Sequence, residues 1–284
     1  MSGAVGRKRL FAVLTVVAAA MAVTAVFVWG EASRHRVSDA SASTSRDQTA
    51  YATLNSLAAG MYIGRFESAL GIPVLVEDSA GGGRTEKTFD GPGYLVQTIQ
   101  DSAGTVELMA VTACRPDFNP TFATAIGDVT LGKSTLGNQK LAGEKTQPPF
   151  DPRYFLSPAT ANSYFYDQYY LGNPGNYVNY IVGLNDACKT TADFKPLIAL
   201  GYPALSNLTR ANVATTPGIP QFRDSAVINT FAETAPQYTN VDAIIKGFQI
   251  GADRLRVRAL PQSLNPSREG PVSPRRDLLG RAPR

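Results

Sequence analysis

The chain has 284 residues, 44% of them hydrophobic and 18% charged, which is enough apolar content for a sizeable core and too little charge for a disordered polyelectrolyte. Its formal net charge of +4 is concentrated at the two ends, in Arg7, Lys8 and Arg9 and in the tail arginines Arg268, Arg275, Arg276, Arg281 and Arg284. The stretch between is close to neutral, which argues against nucleic-acid binding by a folded domain.

Leu10 to Trp29 reads LFAVLTVVAAAMAVTAVFVW, twenty residues without a charge, and a helix of that length spans a hydrocarbon core of about 30 Å. The competing reading is a cleaved signal peptide, with Arg7 to Arg9 as its basic region and Val23-Thr24-Ala25 as its cleavage site. The run is longer than the usual signal core of about 7–15 residues and ends on an interfacial aromatic, so a retained transmembrane helix over 10–30 is expected. The basic tail 1–9 then stays in the cytoplasm and the C-terminal domain lies outside. No Cys follows the apolar run, which excludes a lipoprotein anchor.

Residues 31–50 are polar, rich in small side chains and without apolar periodicity, the composition of a stalk. Leu54 and Leu57, then Ile63, Phe66 and Leu70, fall at helical spacing and predict two short helices parted near Gly60. Gly71 supplies a left-handed stop and Pro73 follows it. The period then changes to 2: Val74–Val76, Thr88–Phe89, Tyr94–Ile99 and Val106–Thr112 read as strands separated by the turns Ala80–Arg84 and Asp101–Gly104. A helix followed by an antiparallel meander is the expected outcome.

Gly60-Met61, Phe66, Leu70-Gly71, Pro73, Phe89, Tyr94, Asp101, Gly104 and Val106 carry a resemblance. The pattern over Leu54 to Cys114 resembles the helix-plus-meander modules of the outer-membrane lipoprotein BamE (SmpA/OmlA) type, which also occur in tandem in beta-lactamase inhibitory protein. The resemblance implies a structural turn at Gly60–Pro73 and a role in protein–protein binding rather than catalysis. Most of the domain outside the membrane is also similar to a family of bacterial single-pass membrane proteins bearing the stretch YYLGNPGNYVNYIVGLNDA, a likeness that implies no particular activity.

A weaker second copy is suggested by Leu136-Gly137 against Leu70-Gly71, Tyr177–Leu184 against Tyr94–Ile99, and Asn185-Asp186-Ala187 against Gln100-Asp101-Ser102, with a longer insert that contains Phe165–Tyr177. The second half therefore reads either as a duplicate or as an extension of the first. Beyond Cys188 the prolines Pro196, Pro203, Pro217, Pro220 and Pro236 break the chain into loops. Asn240 caps a helix carrying Val241, Ile244, Ile245 and Phe248. Arg254-Leu-Arg-Val-Arg258 alternates strictly and predicts a strand with three guanidinium groups on one face. Residues 261–284 lack periodicity and read as a disordered basic tail.

Gly127-Asp-Val-Thr-Leu-Gly-Lys-Ser134 matches the spacing of a phosphate-binding loop. Asp128 would face the phosphates, Val129 and Thr130 are β-branched where small residues are preferred, and Thr135-Leu-Gly-Asn-Gln starts a helix poorly, so a turn is expected. The sole histidine, His35, lies in the stalk, which removes histidine-based triads and zinc sites from the domain. Cys114 and Cys188 are the only thiols, and outside the cytoplasm they form a candidate disulfide, the other reading being two buried small side chains. Tyr166, Tyr169 and Tyr170, with Arg254, Arg256 and Arg258, form a candidate contact surface, against the plainer readings of strand core and solvated strand face.

The expected architecture is α+β: one transmembrane helix, a stalk, a first helix-plus-meander module at 51–114, a second module with insert and C-terminal extension at 115–260, and the tail at 261–284. The expected function is that of a membrane-anchored extracytoplasmic protein binding an envelope protein or polymer, with no catalytic residue, cofactor, metal or nucleic acid. The alternative is an extracytoplasmic hydrolase using distant carboxylates.

Overall fold

A computed structural model describes residues 45–79, 83–124, 127–138, 150–155, 163–188, 191–201, 208–209, 211–238, 240–246 and 248–259. The expected membrane segment at 10–30, the stalk up to residue 44 and the tail at 261–284 lie outside the described residues. No helix among the described residues is long and apolar enough to cross a membrane. Two compact units are distinguished, Met1–Ala52 and Thr53–Arg284. In the first, residues 45–52 are helical, so regular structure begins within the span read as a stalk.

The second unit is α+β around one eight-stranded antiparallel sheet. Helix α1, Ile63–Leu70, ends at Gly71 with φ 87°, and Pro73 follows, so the predicted stop is where the helix stops. Four strands come next: β1 Leu75–Asp78, β2 Arg84–Gly91, β3 Tyr94–Asp101 and β4 Val106–Ala113. The β3–β4 turn forms because the Asp101 carboxylate accepts the Ala103 and Thr105 N–H groups, at 2.9 and 2.8 Å. Backbone bonds from Gly60 N to Val106 O and from Ile63 N to Gly104 O tie the start of α1 to that turn.

A small hairpin, β5 Thr121–Thr124 with β6 Gly127–Thr130, stands apart as a two-stranded sheet. The second half then supplies β7 Phe150–Phe155, β8 Tyr164–Asn173, β9 Asn176–Asn185 and, much later, β10 Thr230–Thr234. Sheet order is β1-β2-β3-β4-β10-β9-β8-β7, so two four-stranded meanders meet where their last strands pair. Ala110 faces Ala232 at that junction, and Gln97 and Ile181 flank the two alanines in β3 and β9.

Phe165–Tyr177, expected to lie in an insert, is instead β8 and the start of β9, in the body of the sheet. The long excursion is residues 186–229, between β9 and β10. Two of its expected proline breaks are helix starts: Pro196 lies in the first turn of α2, Lys195–Ala199, and Pro220 in that of α3, Ile219–Ser225. Leu136-Gly137, expected to match the end of α1, forms a single 3₁₀ turn over Leu136–Asn138.

Both faces of the central strands are covered, which is why β4 is buried along its whole length rather than alternating. On one face Phe66 of α1, Phe122 of the small hairpin and Phe222 of α3 pack down; Phe122 stacks on Phe231 at 4.4 Å, and Phe222 meets Phe165 edge-on at 5.2 Å. The other face buries Ile99, Leu108, Ala110, Ile181 and Ala232 under Val241, Ile244 and Ile250. Asn240 caps α4, Val241–Ile244, its side chain accepting the Ala243 N–H as expected.

Arg254–Ala259 is a helix, α5, and not the expected strand. Five alternating residues are too few to separate the two periods, and the deciding group precedes them: the Asp253 carboxylate accepts the Leu255 N–H at 2.8 Å and the Arg256 N–H at 3.3 Å.

Candidate functional site

The face under the C-terminal segment carries a polar seam across six strands. Opposed residues in neighbouring strands share a face, so Glu86, Gln97, Thr112, Thr230, Asn185, Tyr166 and Gln168 all point the same way. The seam grips the main chain of residues 249–252, which lies over it as a strap. Gln97 donates Nε2–H to the Gln249 carbonyl at 2.8 Å and accepts the Gly251 N–H at 2.7 Å. Tyr166 donates its hydroxyl to the Ile250 carbonyl at 2.8 Å, and Asn185 donates to the Ala252 carbonyl at 3.2 Å and to the Tyr166 oxygen at 3.0 Å. Burial pushes the Tyr166 phenol far above its ordinary range, so it remains protonated and acts as a fixed donor rather than as an acid.

The expected contact residues are dispersed by this arrangement. Tyr166 lies beneath the strap, and Tyr169 is buried on the opposite face beside Asp167, so neither is available to a partner. Period-2 alternation along β8 accounts for both, since the part of the strand that carries them is covered on both faces. Tyr170, 47% exposed, stacks on Tyr177, 37% exposed, with ring centroids 5.3 Å apart. Tyr177 was absent from the sequence expectation. The Asn173-Pro-Gly-Asn176 turn pairs Gly172 with Tyr177 and Tyr170 with Asn179, which sets the two tyrosines diagonally on one face. Reading that hairpin register in the sequence would have found the pair.

Arg256 does not stand on a free basic stripe: it lies 2.8 Å from Glu86, contacts Glu77, and stands 3.6 Å from Asp253. The side chains of Arg254 and Arg258 lie outside the described residues. Cys114, just past β4, and Cys188, just past β9, are joined by a disulfide with Cα atoms 4.8 Å apart, bridging across the start of β10. The Gly127–Ser134 segment is strand β6 running into a turn that closes when Ser134 Oγ accepts the Thr130 N–H. Among the described residues neither a preceding buried parallel strand nor a following α-helix frames it, as a phosphate loop requires.

Carboxylates with raised pKa values are scattered. Burial raises Glu86, against the Gln97 hydrogen bond and the charge of Arg256, and burial alone raises Asp90 to about 6. These two share a face of β2 but are four residues apart, roughly 13 Å along a strand, wider than the roughly 5–9.5 Å between the acids of glycoside hydrolases. Among the described residues no group of three or more His, Cys, Asp or Glu side chains could hold a metal ion.

Fold and site thus define an α+β protein with a two-meander antiparallel sheet, one face of which is closed by its own C-terminal segment and one hairpin tip of which is aromatic. No family model, curated protein or solved structure matches the chain.

Proposed function

We propose that this chain is a membrane-anchored extracytoplasmic protein that binds another protein or a polymer of the cell envelope, and that the stacked Tyr170–Tyr177 pair is its contact surface. The observation that carries this reading is the exposure of two stacked aromatic rings at the tip of the β8–β9 hairpin. Aromatic side chains left in water cost solvation that a partner recovers, and tyrosine offers large contact area with little rotamer entropy to lose. The resemblance of Leu54–Cys114 to BamE-type binding modules supports a binding role, and the uncharged run Leu10–Trp29 supports the anchor and the outward placement.

The test is in-cell photocrosslinking of the full chain with a benzophenone amino acid at position 170, and at Ile72, 89% exposed, as control. A single reproducible envelope adduct at 170, absent at 72 and lost with Tyr177→Ala, is expected. Identical adducts from both positions would sink the reading. Protease shaving of spheroplasts tests the topology separately, with digestion of the C-terminal domain expected.

A further inference from the structure

On the sheet face opposite the strap, a cavity of about 440 Å³ opens between residues 55–58 and the β5–β6 hairpin. Its apolar walls are Met109 and the Phe122–Phe231 stack, whose rings are 4.4 Å apart and within 6° of parallel. Its polar wall is Glu233, with exposed Asp128 and Asn55 also lining it. Glu233 Oε1 accepts the Ala59 N–H at 3.0 Å. Three other inward carboxylates of the sheet face a cation: Glu86 has Arg256, Glu107 has Arg84 and Asp167 has Arg223. Among the described residues Glu233 has no such partner, and burial raises its carboxyl above the usual range while the Ala59 N–H opposes this.

We infer that this cavity binds an organic cation, a primary ammonium or guanidinium on a short alkyl stem, with the head on Glu233 and the stem against Met109, Phe122 and Phe231. The chemistry follows from the walls. An anion would meet Glu233 and Asp128, and a neutral apolar ligand would leave a desolvated carboxylate without compensation. A cation supplies the missing counter-charge, and the apolar walls accept its alkyl stem. The volume lies in the range of small-ligand sites. The cavity and the Tyr170–Tyr177 tip are on opposite faces, so this inference stands or falls apart from the proposed contact surface.

The chain contains four methionines, and among the described residues Met109 is the one that lines the cavity. Full-length chain in nanodiscs, labelled at the methionine methyls, is titrated with n-butylammonium, n-butylguanidinium and neutral n-butanol. The Met109 resonance is expected to shift saturably with both cations at millimolar concentration and not with butanol. Glu233→Gln is expected to weaken binding about tenfold or more; exposed Asp128→Asn, about two- to threefold, provides a second readout should Glu233→Gln not fold. A lysine tripeptide with blocked ends that binds more tightly than butylammonium identifies a partner's side chain as the source; preference for the free amine identifies a small molecule. No Met109 shift with either cation, equal response to butanol, or undiminished binding by a folded Glu233→Gln protein overturns the inference.

Discussion

Arg223 Nη1 donates to both carboxylate oxygens of Asp167, at 2.6 and 2.5 Å, and Nη2 donates to the Leu136 carbonyl at 3.2 Å. Asp167 belongs to β8 and is fully buried, whereas Arg223 belongs to α3 in the long excursion between β9 and β10. One guanidinium therefore fastens that excursion, and the 3₁₀ turn at Leu136, onto the sheet. Removing one partner strands a buried charge, so Arg223→Ala and Asp167→Ala are each expected to cost about 3–5 kcal/mol, while Arg223→Met with Asp167→Leu recovers most of the loss. Urea unfolding of the wild type, Arg223→Met, Asp167→Leu and their double variant gives the coupling energy; simple additivity would mean that the pair acts only through packing.

The Cys114–Cys188 bridge closes a chain segment with sequence separation 74 and joins the ends of β4 and β9 across β10. Cys114→Ala with Cys188→Ala is expected to lower unfolding stability by about 2–4 kcal/mol. Alkylation of the denatured, unreduced protein followed by mass measurement should detect no free thiol. Two alkylated cysteines would show that the bridge does not form.

Local chemistry was the legible part of this fold. Gly71, Asp101–Gly104 and Asn240 each act within a few residues of their own position, and the structure uses each as expected. Long-range pairing was not legible: β10 is short, lies some forty residues from β9, and yet sits at the centre of the sheet. Tyr166 and Tyr169 are unavailable to a partner because their part of β8 is covered on both faces, which its own pattern cannot announce. Glu233 gave no signal, since its place beside the Phe122–Phe231 stack, with no cationic partner among the described residues, exists only in three dimensions.

Asp90 should make stability pH-dependent. Its carboxyl, raised by burial from 3.8 to about 6, has one oxygen without a hydrogen-bond partner among the described residues, as does the neighbouring Thr88 hydroxyl. Folding favours the neutral form, so the stability contributed by protonated Asp90 is complete below pH 3.8 and lost as pH rises through about 6. Asp90→Asn keeps the shape without the charge. It is expected to stabilise the protein by about 1–2 kcal/mol at pH 8, a figure discounted for partial solvent screening, and by less at pH 4. Urea midpoints at pH 4, 6 and 8 provide the check, and a gap independent of pH would rule out Asp90 as its source.

Gly251 is where the strap meets the seam most closely. Its φ is +77°, and a Cβ there would lie 2.7 Å from Tyr166 Oη and 2.8 Å from Asn185 Nδ2, the two groups that hold the Ile250 and Ala252 carbonyls. Gly175, at the β8–β9 turn, has φ +85° and nothing within 4 Å of the same position. Alanine at either site pays the left-handed backbone cost of about 1–2 kcal/mol, but only at 251 must it also displace buried hydrogen-bonded groups, adding about 1–3 kcal/mol. Gly251→Ala is therefore expected to be the more destabilising of the two by that difference, and to raise hydrogen exchange at residues 249–252 selectively. Equal losses at the two positions would show that the seam yields to the extra methyl and does not clamp the strap.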